Sequence, residues 1–152
     1  MQIETLKDLL NWTKAHHHNL SKCLEHCSDK NVDQRADMLL SFFAEHEGRL
    51  ELLVDKTIES ANKNALNTWC QEYIHKNSIT THKRCEEPFI DLNTSVVTEL
   101  VFNLHSELLE LYRFLYAQAG APSVLNLLKQ LIDLEEHEAM LMAKGANQLE
   151  DL

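Results

Sequence analysis

Four stretches of the chain repeat apolar residues every three or four positions. Each reads as one long amphipathic helix. The first covers about residues 5–27, with a stripe of Ile3, Leu6, Leu10, Thr13, His17, Leu20, Leu24 and Cys27. The second covers 32–62, with Ala36, Leu40, Phe43, Glu47, Leu50, Val54, Thr57 and Ala61. The third covers 94–118, with Val97, Val101, His105, Leu108, Tyr112, Leu115 and Ala119, widened by Leu100, Leu104 and Leu111. The fourth covers 123–146, with Val124, Leu127, Leu131, Leu134, Glu138, Leu141 and Gly145. Polar Ser28-Asp29-Lys30-Asn31 separates the first pair, and Ala119-Gly120-Ala121-Pro122-Ser123 stops the third helix and starts the fourth. Long helices joined in pairs by short turns predict an all-α four-helix bundle.

Between 63 and 93 the periodicity fades. Residues 65–74 predict a short helix, with Trp69 and Tyr73 facing the bundle. Pro88 breaks the chain before a cap at Asp91 or Asn93. A connection this long predicts a crossover from one end of the bundle to the other. The 152 residues suit one domain, 1–152, with enough interior for a core.

Composition agrees with helix: the chain has 3 glycines and 2 prolines. The net charge of −10 argues against nucleic acid or an anionic membrane as partner. No apolar run approaches a membrane span, and Met1-Gln2-Ile3-Glu4 begins no secretory signal. The expectation is a cytoplasmic protein whose 4 cysteines are reduced thiols. Cys23 and Cys27, one turn apart, read as small core residues. Cys70, His75, His82 and Cys85 match no familiar zinc spacing.

The candidate chemistry lies in the exceptions to the stripes. A carboxylate or imidazole at a core position costs several kcal/mol unless it is paired, hydrogen-bonded or metal-bound. His17 and His105 each stand midway along an aliphatic stripe. The tripeptide Glu-His-Glu occurs at 45–47 and again at 136–138. Pairing His17 with Glu47 and His105 with Glu138 gives spacings of 30 and 33 residues, a difference the turns would absorb. The two hairpins then repeat one another. His17, Glu47, His105 and Glu138 are predicted to converge as metal ligands, with His46 and His137 close by.

This arrangement resembles the ferritin-like, rubrerythrin-like four-helix bundles: two hairpins, a long crossover between helices two and three, and polar ligands in mid-core. The resemblance implies a divalent metal, with iron favoured over zinc or manganese. In that family a Glu comes from each of helices one and three, and a Glu-x-x-His from each of helices two and four. Glu47 and Glu138 match the Glu of that motif. Leu50 and Leu141 stand where its His would be, and His17 and His105 stand where the family has Glu. Hemerythrin-like spacing is absent, and haem between His17 and His105 would need smaller neighbours than Leu20 and Leu108. No phosphate loop or nucleophile triad is present. Two readings follow. One is a metal-binding protein in metal or redox handling, with enzymatic activity left open. The other is a helical scaffold or partner-binding protein whose buried His-Glu cluster is structural. Phe42, Leu53, Phe102 and Phe114, outside the main stripes, allow a homodimer.

Overall fold

A computed structural model of the protein describes residues 3–30, 33–70 and 94–150. Among them are five helices: α1 Leu6–Lys30, α2 Gln34–Ser60, α3 Lys63–Leu66, α4 Thr94–Gln118 and α5 Pro122–Glu150. Thr5 and Asp8 start α1 with a reciprocal cap. The Asp8 amide donates to Thr5 Oγ1, and Asp8 Oδ2 accepts from the Thr5 and Glu4 amides. Asp33 caps α2, its carboxylate accepting from the Arg35 amide at 3.0 Å. Pro122 occupies the first position of α5, where its missing N–H costs nothing.

Several expected boundaries move, among them the end of the fourth long helix, which runs past 146 to Glu150. The first helix does not stop at Cys27 but runs on to Lys30. Ser28 is buried there, bonded to the Asp37 carbonyl and carboxylate and to Ser41 Oγ, so its polarity is satisfied within the helix. The short helix expected at 65–74 is instead α3, ending at Leu66. Beyond it the backbone pairs with the start of the chain. The Leu6 amide donates to the Thr68 carbonyl, and the Cys70 amide to the Glu4 carbonyl. A β-bridge joins Thr5 to Trp69, which leaves the Trp69 side chain exposed rather than facing the bundle. Tyr73, His75, His82, Cys85, Pro88, Asp91 and Asn93 lie outside the described residues.

The core divides into two apolar clusters. One holds Leu6, Leu9 and Leu10 of α1, Ala65, Leu66 and Cys70, Leu108 to Leu115 of α4, and Val124 to Leu131 of α5. The other holds Leu20 to Cys27 of α1, Leu39 to Ala44 of α2, Val97 and Val101 of α4, and Met142 and Ala146 of α5. Helix α1 runs from the first cluster to the second. Helix α2 starts at the second and ends with Ile58 against the first. Helix α4 runs from second to first, and α5 back again. So α2 and α4 run the same way, the direction that a crossover between hairpins produces. Between the clusters each of the four long helices leaves its apolar pattern. That layer holds the polar residues.

Candidate metal centre

Four side chains, one from each long helix, meet in this layer: His17, Glu47, His105 and Glu135. All are at most 3% exposed. The rings of His17 and His105 face each other, centroids 5.7 Å apart and planes 25° from parallel. The two carboxylates close the gap on either side. His17 Nδ1–H donates to Glu47 Oε2 and Nε2–H to Glu135 Oε1, both at 2.6 Å. His105 Nε2–H donates to Glu47 Oε1 at 2.5 Å, and Nδ1–H to Glu135 Oε2 at 3.1 Å. Every ring nitrogen faces a carboxylate oxygen, so both imidazoles carry two protons and both carboxylates are ionised. The ring is closed and neutral overall.

Its electrostatics follow from that closure. Burial opposes charge on His17, but the carboxylates of Glu135 and Glu47 outweigh it and raise its pKa to about 9. Burial is likewise outweighed at His105, chiefly by Glu47 and then by Glu135, and its pKa is raised to about 10. The same exchange holds Glu47 well below the usual carboxylate range and Glu135 at about 2, against the pull of burial. Beside the ring, burial and the charge of His17 lower His16 to about 4, so it is neutral, stacked on Trp12 at 5.1 Å. Tyr112 donates to Thr13 Oγ1 at 2.9 Å, and burial with the Glu135 charge raises its phenol well above 10.

Three of the four side chains expected to converge do so. Glu138 does not join them; its Oε2 accepts from His46 Nδ1 at 2.7 Å, and Arg49 lies 3.8 Å from its other oxygen. His137 is exposed. The member missing from the sequence reading is Glu135. On α5, beside Leu127 and Ala146, the buried residues are Val124, Leu128, Leu131, Glu135, Glu138 and Met142, whereas Leu134, Leu141 and Gly145 are only partly buried. One constant offset carries Ala36, Leu40, Phe43, Glu47, Leu50 and Val54 of α2 onto those six positions. The offset that takes His17 to His105 is the same one. The His-to-Glu spacing is therefore 30 residues in both hairpins. The unequal spacing of 30 and 33 was the signal: demanding equality selects Glu135.

Cys23 and Cys27 are buried in the second apolar cluster, as small core residues. No helix among the described residues is long and apolar enough to cross a membrane.

A bundle of two hairpins whose second and third long helices run alike, with one polar layer at mid-height, is the ferritin-like fold, and this chain has it. Among solved structures the fold matches a crystal structure of a Thermotoga maritima protein described as a ferritin-like diiron-carboxylate protein. The match has a TM-score of 0.64 and covers 94% of this chain and 95% of that one, at 13% identity. No protein-family model and no curated protein sequence matches the chain.

The ring decides which metal group its residues suit. A pair of irons held by four carboxylates does not fit, because the ring has two carboxylates and neither Glu47 nor Glu135 is followed by a His three positions on. Among the described residues no group of three or more His, Cys, Asp or Glu side chains stands arranged to hold a metal ion. The reason is visible in the ring itself. Ligands sharing one tetrahedral ion at bonds of about 2.0–2.1 Å lie roughly 3.3 Å from one another. The ring's N–H···O contacts are tighter and are bridged by protons. Two imidazoles and two carboxylates nonetheless form a donor set suited to one divalent cation, taken in exchange for ring protons.

Proposed function

We propose that this is a metal-binding ferritin-like protein in metal or redox handling, and that its site is the ring of His17, Glu47, His105 and Glu135. The observation that carries this reading is that each long helix places one His or Glu on its buried face at the same level, and those four side chains meet. The mixed nitrogen and oxygen set favours iron, with zinc and manganese next. The Thermotoga maritima protein's description as a diiron-carboxylate protein supports the same choice. One imidazole nitrogen from each His and one oxygen from each Glu would hold the ion. The second nitrogen of each ring would stay bonded to a carboxylate and keep the imidazole oriented. A bound ion would supply Lewis acidity or redox chemistry. The apolar clusters above and below would keep bulk water from the layer. We place the protein in the cytoplasm as one domain, with a metal ion as partner and neither nucleic acid nor membrane.

Elemental analysis of protein purified without chelators tests this. Metal should accompany the wild type and be lost from the Glu47→Ala, Glu135→Ala double variant.

A second reading has its own support: the ring satisfies all its donors and acceptors without an ion, and no described buried side-chain polar atom lacks a partner. A closed network of this kind fixes the pairing of four helices in a scaffold. Protein that never carries metal, or carries it equally after the double substitution, supports that reading.

A further inference from the structure

The two apolar clusters close the bundle above and below the ring, and a dication does not cross such layers unaided. A pocket open to solvent lies on the side of the bundle, between α2 and α5. It has a volume of about 620 Å³ and is walled by Asp37, Met38, Phe42, Glu45, Gly145 and Leu149. Its two carboxylates raise the local cation concentration. Phe42 is also packed edge-on against His46, with centroids 4.5 Å apart. Behind His46 stands Glu138, and Glu138 lies one helical turn from Glu135 on the same buried face. Burial deepens along this line. Glu45 is exposed and Phe42 partly buried, His46 is 7% exposed, Glu138 is 3%, and Glu47 and Glu135 are 0%.

Phe42 can lie over His46 because residue 145 has no side chain. A Cβ there would stand 2.1 Å from Phe42 Cζ, so the ring occupies the space that a methyl would take. Glycine is a poorer helix former than alanine, and here it leaves room for the aromatic cover. What a methyl would meet is the far end of that ring, which swings about χ1.

We propose that this pocket admits a divalent cation to the core ring, with Phe42 as a movable cover and His46 with Glu138 as the transfer pair beneath it. The inference rests on the metal-binding reading above. Arg49, half exposed, lies 3.8 Å from the other oxygen of Glu138, so a cation arriving there would take the place of its charge.

Uptake of Co²⁺ by metal-free protein, followed by its visible d–d absorbance, tests the route. Phe42→Ala and Gly145→Ala should load several-fold faster than wild type and reach the same final absorbance. Glu138→Gln should load more slowly. Gly145→Ala adds a methyl and raises helix propensity, so it carries the test if Phe42→Ala fails to fold. Wild-type loading rates in Gly145→Ala and Glu138→Gln, with the band still formed, overturn the route and leave the metal-binding reading standing. Absence of a d–d band even after wild-type protein is refolded in Co²⁺ overturns the metal-binding reading, and the route with it.

Discussion

The two Glu-His-Glu tripeptides are identical in sequence and unlike in place. At 45–47 the last residue enters the ring, the central His46 turns toward α5, and Glu45 is exposed. At 136–138 no residue enters the ring. Glu136 is exposed and bonded to Arg113, His137 is exposed, and Glu138 turns to His46. The ring member on α5 is Glu135, just ahead of the tripeptide. A repeated motif is thus a weaker guide than a repeated register. In register terms Glu138 stands where α2 has Leu50, a core position. That is why it needs His46: a carboxylate at a leucine position has to find a donor.

The difference between Glu135 and Glu138 sets the largest expected effect. Glu135→Ala leaves two buried imidazolium groups short of a counter-charge and should cost about 3–5 kcal/mol in urea unfolding. The metal-free protein is the right sample, since bound metal would add its own stabilisation. A loss smaller than that of Glu138→Ala would break the comparison.

pH probes the same ring in the metal-free protein. Folding raises His17 and His105 from 6.5 to about 9 and 10, so their contribution is complete below 6.5 and is lost as pH rises through 9 to 10. Folding lowers Glu47, and lowers Glu135 from 4.5 to about 2, so their contribution is complete above 4.5 and is lost as pH falls toward 2. His16 acts oppositely to the other two histidines. It is held neutral, so the fold also loses stability as pH drops from 6.5 through about 4. Urea midpoints should therefore peak near neutral pH, with falls on both sides. Alkaline loss confined to the wild type and absent in Glu135→Ala would sharpen the assignment to the ring.

Much of this was legible in the sequence. On α1 every expected stripe residue from Leu6 to Cys27 is buried, and on α2 so are those from Ala36 to Val54. Apolar periodicity reports burial directly, and both stripes are anchored by aliphatic residues on each side of the exception. On α5 the pattern is ambiguous because leucines fill two neighbouring faces. Leu127, Leu131 and Leu134 make as regular a row as Leu128, Leu131 and Glu135. Leu127, Leu128 and Leu131 are all buried, but at the next turn the structure buries Glu135 and not Leu134, because Glu135 has two imidazolium partners. Pairing across four helices is a tertiary fact, and no local pattern encodes it. The extended pairing of Trp69 with Thr5 was hidden for the same reason.

At intermediate depth, Glu138→Gln keeps the volume and one acceptor but removes the charge facing His46. A hydrogen bond to a charged group contributes about 1.5–3 kcal/mol, so the loss should fall below that of Glu135→Ala. Urea unfolding of the two variants side by side makes the ranking a direct measurement. Equal losses would mean that the pair and the ring behave as one network.

The surface gives the smallest effect. Lys14 Nζ and Asp55 Oδ1 are 2.8 Å apart across the same α1–α2 contact that holds His17 to Glu47, but their side chains are 40% and 38% exposed. Water screens such a pair, and ordering a long lysine costs rotamer entropy. Distance alone would rank it beside His17 and Glu47, whereas burial ranks it far below. A double-mutant cycle on Lys14→Ala and Asp55→Ala should return the smallest coupling of those compared, close to the limit of detection. That coupling should shrink in 1 M salt, where the screening length is about 3 Å. A salt-resistant coupling larger than the Glu138→Gln loss would show that depth is not what separates these charges.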